Sequence, residues 1–169
     1  MLDPEHIIES GALHGVGTWM LRQASPTAQL SVISPKTPKL YIDNATNSVY
    51  FTGDQFKDFS QIDWTCLNIN KAKTLVFFDD HQSGYRRMLE SYARNFQHLM
   101  FDDNYLPFNG DHFSSKSACG SKEIVQYAQR LHIDELEFND FRFYPDQKTY
   151  KLHTEDFLKI HDTFQQIVD

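Results

Sequence analysis

Four short apolar runs recur along the first hundred residues of the chain. They show no polar alternation, which is typical of strands that are buried on both faces of a parallel sheet. A further apolar run at residues 49–51 ends just before Gly53 and predicts another parallel strand, whereas residues 40–42 fit either one arm of a hairpin or an unrelated edge segment. The four runs are residues 6–8, 30–33, 74–78 and 98–101.

Three segments carry apolar residues at helical spacing. They are residues 18–24, 85–96 and 121–131. In the second segment, one apolar stripe is expected to pack against the sheet, and the charged residues should be at least partly exposed. The stripe consists of Met88, Leu89, Tyr92 and Phe96, and the charged residues are Arg86, Arg87, Glu90 and Arg94.

The last part of the chain is mixed. Residues 136–138 and 141–144 predict strands, and residues 154–168 predict a terminal helix. The alternation of strands and helices along the whole chain predicts an α/β fold, namely a Rossmann-like doubly wound, mostly parallel sheet with helices on both faces. We expect residues 1–169 to form a single domain of this type, because the chain contains no low-complexity tract and no linker.

The composition narrows the function classes. The 169 residues carry a formal charge of −7, which argues against general nucleic-acid binding. No apolar stretch is long enough for a membrane helix, and the N-terminus lacks the pattern of a signal peptide. Cys66 and Cys119 lie far apart in the sequence and form no ligand pattern, so we expect them to be the reduced thiols of a cytoplasmic protein. We expect a cytoplasmic protein with a small-molecule substrate and no nucleic-acid or membrane partner. The sequence leaves the oligomeric state open, and a homo-oligomer or a larger assembly is compatible with it.

A glycine-containing turn follows the first predicted strand. Glu9 stands near the end of this strand, and Gly11, Gly15 and Gly17 precede the first helix. In doubly wound sheets this turn lies at the carboxyl edge of the strands, where ligands bind. Glycines let the backbone approach a nucleotide-like group, and the acid can accept its hydrogen bonds. An ordinary tight turn between a strand and a helix has the same glycines, so both interpretations are open at this point.

Two acidic clusters follow the third and fourth apolar runs. They are Asp79-Asp80-His81 and Asp102-Asp103-Asn104. One helix and one strand separate them, so their carboxylates should crowd one edge of the sheet. Like charges at such distances raise one another's pKa unless a cation neutralises them, and Mg²⁺ takes oxygen ligands of this kind. The competing interpretation is that these residues only cap helices and form turns, although their repetition on successive strands favours a metal.

The order and spacing of these motifs resemble those of class I S-adenosylmethionine-dependent methyltransferases. The likeness is to metal-dependent O-methyltransferases of the catechol O-methyltransferase type, and it covers about residues 5–120. Macrocin O-methyltransferases and cephalosporin hydroxylase-like proteins share this layout. Gly53-Asp54 is similar to the family's turn beside the adenine, and Pro107 and Gly110 follow the second acidic cluster as they do in the family.

The resemblance implies a cofactor, a metal and roles for particular residues. S-adenosylmethionine would be the cofactor, and Mg²⁺ or another divalent cation would bind the acceptor oxygen. His81 would be the catalytic residue that takes the proton. The metal ligands would be Asp80, Asp102, Asp103 and Asn104, with Asp103 the most important. The cofactor-binding residues would be Glu9, Gly11, Ala12, Gly15, Gly17, Gly53, Asp54 and Asp79.

Two positions depart from the family pattern. Ser34-Pro35 stands where an acid usually ends the second strand, and Ser83 stands where a lysine usually follows the metal-binding aspartate. The first hypothesis is metal-assisted methyl transfer to a hydroxyl of a small molecule. The second is a non-catalytic Rossmann-like binding or assembly subunit derived from such an enzyme. A third is another reaction at the acidic cluster, such as hydroxylation or hydrolysis.

Overall fold

The computed structural model describes residues 2–106, 109, 112–130, 135–143 and 146–168. Pro107, Gly110, Leu131 and Tyr144, which belong to segments discussed above, lie outside these residues. The chain divides into two compact units. Unit 1 comprises Met1–Asp80 and Ala93–Asp102, and unit 2 comprises His81–Tyr92 and Asp103–Asp169. That residues 1–169 fold as one domain stays a prediction.

Unit 1 is built on a five-stranded, all-parallel sheet with the strand order β3-β2-β1-β4-β5. Its elements are β1 (His6–Ser10), α1 (Val16–Ala24), β2 (Gln29–Ser34), β3 (Ser48–Thr52), β4 (Thr74–Phe78) and β5 (His98–Phe101). The strand order reverses at β1, which pairs with β2 on one side and β4 on the other, and this is the switch point of a doubly wound sheet. The Rossmann-like α/β fold class is confirmed, and residues 40–42 belong to a loop.

One face of this sheet is covered by the chain between β3 and β4. Phe59 is fully buried there, and its ring centre lies 5.1 Å from that of Phe78 on β4 and 5.5 Å from that of Trp64. The Trp64 indole N–H donates to the Phe59 carbonyl oxygen at 3.0 Å, which satisfies the polar atom of a buried side chain. The aromatic core that results contains Ile8, Ile33, Phe59, Ile62, Trp64, Val76, Phe78 and Phe96.

Helix α1 covers the other face of the sheet. Its buried residues are Thr18 and Arg22, and Leu21 is partly buried against the strands. Arg22 Nη2 lies 2.8 Å from Asp43 Oδ2, and Arg22 Nη1 donates to the Ala28 carbonyl oxygen at 2.8 Å. Because its charge is paired and its donors are used, this buried guanidinium anchors the connection between β2 and β3.

The described part of unit 2 consists of helices and one antiparallel hairpin. Its elements are α2 (Gly84–Tyr92), α3 (Ser115–Cys119), α4 (Ser121–Arg130), β6 (Glu135–Phe143), β7 (Asp146–His153) and α5 (Thr154–Val168). Helix α5 packs against α3 and α4, and it matches the predicted terminal helix. Residues 136–138 and 141–143, which were predicted to belong to two strands, lie in one strand, β6. None of the described helices is long and apolar enough to span a bilayer.

The end of helix α2 and the burial of two of its side chains differ from the prediction. It ends at Tyr92, four residues earlier than expected, and Tyr92 is exposed, whereas Met88 is buried. Arg87, expected to be partly exposed, is buried, because its Nη1 donates to Glu90 Oε2 at 2.7 Å. Pairing the charge makes this burial tolerable. Phe96 is buried as predicted, but it follows the helix and belongs to the aromatic core of unit 1.

Candidate functional site

The segments expected to bind ligands lie at one edge of unit 1. Because all five strands are parallel, their carboxyl ends meet at the same edge, where doubly wound sheets bind ligands. Residues 11–17 follow β1, Gly53 and Asp54 follow β3, Asp79 and Asp80 follow β4, and Asp102 follows β5. The prediction that these segments share an edge is confirmed for the members that belong to unit 1.

Glu9 is a fully buried carboxyl group near the carboxyl end of β1. Thr18 on α1 donates a hydrogen bond from its Oγ1 to Glu9 Oε2. Burial is the main cause that raises the pKa of the Glu9 carboxyl to about 7. The Thr18 hydrogen bond lowers this pKa, and the nearby charge of Asp79 raises it. A cation placed beside this carboxyl would favour its charged form.

The glycines of the turn after β1 are explained by contacts within the protein. Gly11 has a φ of 106°, and a Cβ there would overlap the carbonyl group of Asp79. Gly15 has a φ of 88° and precedes α1, and a Cβ at Gly17 would lie 2.5 Å from Glu9 Oε1. Gly11 therefore permits the close approach of the segments after β1 and β4, and Gly17 permits the close packing of α1 on β1.

The other cofactor-binding candidates in unit 1 differ in their surroundings. Ala12 is buried in the apolar core beneath α1. Gly53 and Asp54 are exposed in a short 3-10 turn directly after β3, where Gly53 has a φ of 57°. Since β3 is separated from β1 by β2, these two residues lie at the same edge but two strands away from Glu9.

Asp79 and Asp80 have different neighbours on β1. The charge of Asp79 acts on the Glu9 carboxyl, whereas Asp80 Oδ2 accepts a hydrogen bond from Ser10 Oγ at 2.6 Å. Glu9 and Ser10 are consecutive strand residues, whose side chains point to opposite faces of a sheet. The two aspartates are therefore divided between the two faces. Asp102 continues the ladder beyond β5, donating its backbone N–H to the Phe78 carbonyl oxygen at 2.9 Å.

In unit 2, Asp103 contacts a histidine and a tyrosine. His81 Nε2 lies 3.3 Å from Asp103 Oδ2, and the Tyr105 hydroxyl donates to Asp103 Oδ1 at 2.9 Å. His81 and Asp103 have φ values of 52° and 49°, in the left-handed region that few residues other than glycine adopt. The His112 ring centre lies 5.9 Å from that of His81 and 5.7 Å from that of Tyr105. These side chains form one polar and aromatic group in unit 2.

Asn104 acts as a turn and capping residue in this structure. Its Oδ1 accepts hydrogen bonds from the Ser115 hydroxyl and from the Lys116 backbone N–H, both at 2.9 Å. An amide oxygen has two lone pairs, so both are in use at the start of α3. The capping interpretation of the second acidic cluster therefore applies to Asn104.

Four residues that contact candidate residues within their own unit were not singled out from the sequence. They are Ser10, Thr18, Tyr105 and His112. Ser10 and Thr18 orient carboxylates, and their positions beside the acid of β1 and in the first turns of α1 are a usable signal. No sequence signal marks Tyr105 or His112, because their contacts depend on the path of the chain after Asp103.

The geometry defines unit 1 as a Rossmann-like α/β sheet with carboxylates at the carboxyl edge of its strands. No protein-family model matches the chain, and no curated protein and no solved structure matches it significantly. The fold class therefore rests on the strand order and the parallel pairing. The resemblance to methyltransferases stays a hypothesis.

Proposed function

We propose that this protein is an S-adenosylmethionine-dependent O-methyltransferase that uses Mg²⁺ or another divalent cation and methylates a hydroxyl group of a small molecule. The observation that carries the proposal is the convergence of carboxylates from three adjacent strands, β1, β4 and β5, at the ligand edge of the sheet. Such charges repel one another, and a cationic sulfonium cofactor with a divalent metal ion would neutralise them.

The surroundings of Glu9 support the cofactor part of the proposal. Glu9 is buried with a raised pKa, and the charge of Asp79 acts on it from β4. A sulfonium or ammonium group beside Glu9 would favour its ionised form, which burial disfavours. The residues present therefore fit a positively charged nucleoside cofactor, with Gly11 and Gly17 allowing the compact turn that borders it.

The donor set supports the metal part of the proposal. Asp80 and Asp102 supply carboxylate oxygens at the edge of unit 1, and such oxygens are the ligands that Mg²⁺ prefers. The Ser10 hydroxyl fixes the Asp80 carboxylate, as outer hydrogen-bond partners of metal ligands commonly do. The sequence adds Asp103 and Asn104 as ligands. Asp103 is the stronger of these two, since the Asn104 oxygen is engaged by its capping hydrogen bonds.

The proposed chemistry assigns roles to three side chains. When bound, the metal would lower the pKa of the acceptor hydroxyl, and the cofactor would supply the methyl group. Glu9 would hold the cofactor in position for in-line attack, which is a proximity effect. His81 would accept the hydroxyl proton, and Asp103 Oδ2, which lies 3.3 Å from His81 Nε2, would hold the imidazole in position.

Two observations favour the alternative function, a non-catalytic Rossmann-like binding or assembly subunit. β2 ends at Ser34 and is followed by Pro35, so no acid ends this strand to accept ribose hydroxyls. Ser83, at the position of the family's lysine base, is buried, and its Oγ accepts the Arg86 backbone N–H at 3.3 Å. This position therefore serves the start of α2. A subunit of this kind would retain the fold without turnover.

The metal part is tested by the melting temperature of the protein during a titration with Mg²⁺. A ligand that binds only the folded state stabilises it by about 2.7 kcal/mol at one hundred times its dissociation constant. We expect a rise in wild type and its loss in Asp102→Asn and Asp103→Asn. Asp54→Asn is the matched control, because Asp54 lies at the same edge after β3 and should leave the rise intact. No rise with Mg²⁺, Mn²⁺ or Ca²⁺ would contradict metal assistance and favour the non-catalytic subunit.

We also place this function in the cytoplasm, with a small-molecule substrate and without a nucleic-acid or membrane partner. Cys66 and Cys119 are exposed and not disulfide-bonded, which fits a reducing compartment. The net charge of −7 supports the absence of a nucleic-acid partner.

A further inference from the structure

Helix α1 presents its apolar side to solvent. Thr18 and Arg22 are the buried residues of this helix, while large apolar side chains point outward, which reverses the usual arrangement of a helix packed on a sheet. Val16, Trp19 and Met20 stand at spacings of three and four and share one helical face. The exposed set, named here the α1 face, is Leu13, Val16, Trp19, Met20, Leu40 and Ile42, with exposed fractions between 41% and 75%.

The two parts of the α1 face are joined through the backbone. The His14 carbonyl oxygen accepts hydrogen bonds from the backbone N–H groups of Leu40 at 3.2 Å and Tyr41 at 3.1 Å. The loop that carries Leu40 therefore lies beside the turn that carries Leu13, at the start of α1. All these residues belong to unit 1. The two segments that carry the α1 face are thus neighbours on unit 1.

The size of the α1 face suits a protein interface. With about 150–250 Å² for a large side chain, the exposed fractions correspond to on the order of 600 Å² of apolar surface. This is the upper end of what monomers expose, about 300–600 Å². It approaches the roughly 800 Å² that each partner contributes to a stable interface. The flanking loop can supply the remaining area.

The charge distribution points to a second copy as the partner. The chain carries 23 acidic residues, yet residues 10–42 contain none, and they include Lys36 and Lys39. Two molecules with a charge of −7 repel each other less when they meet through a segment that carries no acidic residue. A stripe on one helix is also self-complementary about a two-fold axis, which is the commonest symmetry of soluble oligomers.

We propose that the protein forms a homodimer in which the α1 faces of two copies pack together about a two-fold axis. The α1 face contains none of the acidic residues assigned to the proposed chemistry, so the dimer can be tested without cofactor or metal. Trp19 would lie near the centre of the interface, where tryptophans contribute most to binding. The interface would bury the apolar side of α1 that the monomer leaves in water.

Light scattering coupled to size-exclusion chromatography, over micromolar to submillimolar concentrations, tests the dimer. We expect the wild-type mass to rise from 19.8 kDa toward twice that value. Trp19→Glu should raise the dissociation constant more than about a hundredfold, because each substitution occurs twice in a two-fold interface. Leu158→Glu is the matched control, because Leu158 is an exposed apolar residue on α5 in unit 2. This variant should dimerise like wild type.

Two further measurements keep the result unambiguous. The far-ultraviolet circular dichroism of Trp19→Glu should match that of wild type, and Met20→Glu provides a second variant if it does not. A wild-type mass of 19.8 kDa at every concentration would overturn the proposal. A folded Trp19→Glu that dimerises normally would also overturn it. A monomeric wild type that sediments with phosphatidylserine vesicles would overturn the dimer and assign the α1 face to a membrane surface.

Discussion

Replacing Glu9 by glutamine should stabilise the protein in a strongly pH-dependent manner. The substitution keeps the shape of the side chain and removes a charge that burial disfavours. The pKa of Glu9 is about 7 in the folded protein against 4.5 as its reference value, so the folded state holds a proton that the unfolded state loses. Wild-type stability from this group therefore falls as the pH rises from 4.5 to 7.

The size of the effect follows from the shift in pKa. Each pKa unit corresponds to about 1.36 kcal/mol, so the Glu9 penalty at about pH 8 is on the order of 3 kcal/mol. His6 opposes it in wild type, because burial lowers the pKa of His6 from 6.5 to about 4 and its contribution to stability falls as the pH decreases through that range. The contributions of Glu9 and His6 change with pH in opposite directions, so the pH dependence of wild-type stability does not by itself reveal the Glu9 contribution.

Urea unfolding of wild type and Glu9→Gln, both in a chelating buffer, isolates the Glu9 contribution. The variant minus wild-type difference in unfolding free energy should grow by about 3 kcal/mol between pH 4.5 and pH 8. Thr18→Val should instead lower the unfolding free energy, and by more at pH 8 than at pH 4.5, because it removes the hydrogen bond to the ionised Glu9 carboxylate. A difference for Glu9→Gln that does not vary with pH would refute the reasoning.

Four other substitutions test the fold by urea unfolding. Gly11→Ala should cost more than about 2 kcal/mol, because its Cβ would overlap backbone atoms at a φ of 106°. Gly53→Ala, whose Cβ would lie 3.3 Å from its nearest neighbour, should cost about 1 kcal/mol; equal costs would contradict the close-approach argument. Arg22→Met should cost about 3–5 kcal/mol by leaving the Asp43 carboxylate buried and unpaired, and a neutral effect would contradict the anchoring role. Phe59→Ala should cost about 3–5 kcal/mol, and a smaller loss would show that the aromatic core collapses around the cavity.

The parallel sheet could be predicted because burial on both faces leaves continuous apolar runs. The runs at residues 74–78 and 98–101 coincide with β4 and β5, and the acids that end them lie at the carboxyl edge. The position of a carboxylate at the end of an apolar strand is a local property of the sequence. Its neighbours across the sheet follow from the topology rules for consecutive strands.

The buried charges could not be predicted, because they depend on pairing between distant segments. Arg22 is buried with Asp43, which is twenty-one residues further along the chain. Arg87 is buried on a face that hydrophobic periodicity assigns to solvent, since Glu90 neutralises it. The raised pKa of Glu9 likewise depends on the close packing of α1 over β1. Periodicity describes side-chain polarity but not which charges find a partner.

Calorimetric titration of S-adenosylmethionine into the protein, with and without Mg²⁺, tests the proposed function most directly. We expect saturable binding to wild type in the presence of Mg²⁺ and at least about tenfold weaker binding to Glu9→Gln, a variant that should remain folded. Thr163→Val is the matched control, because Thr163 lies on α5 in unit 2 and should not affect binding. The absence of binding to wild type under both conditions, or equal affinity of wild type and Glu9→Gln, would contradict the account.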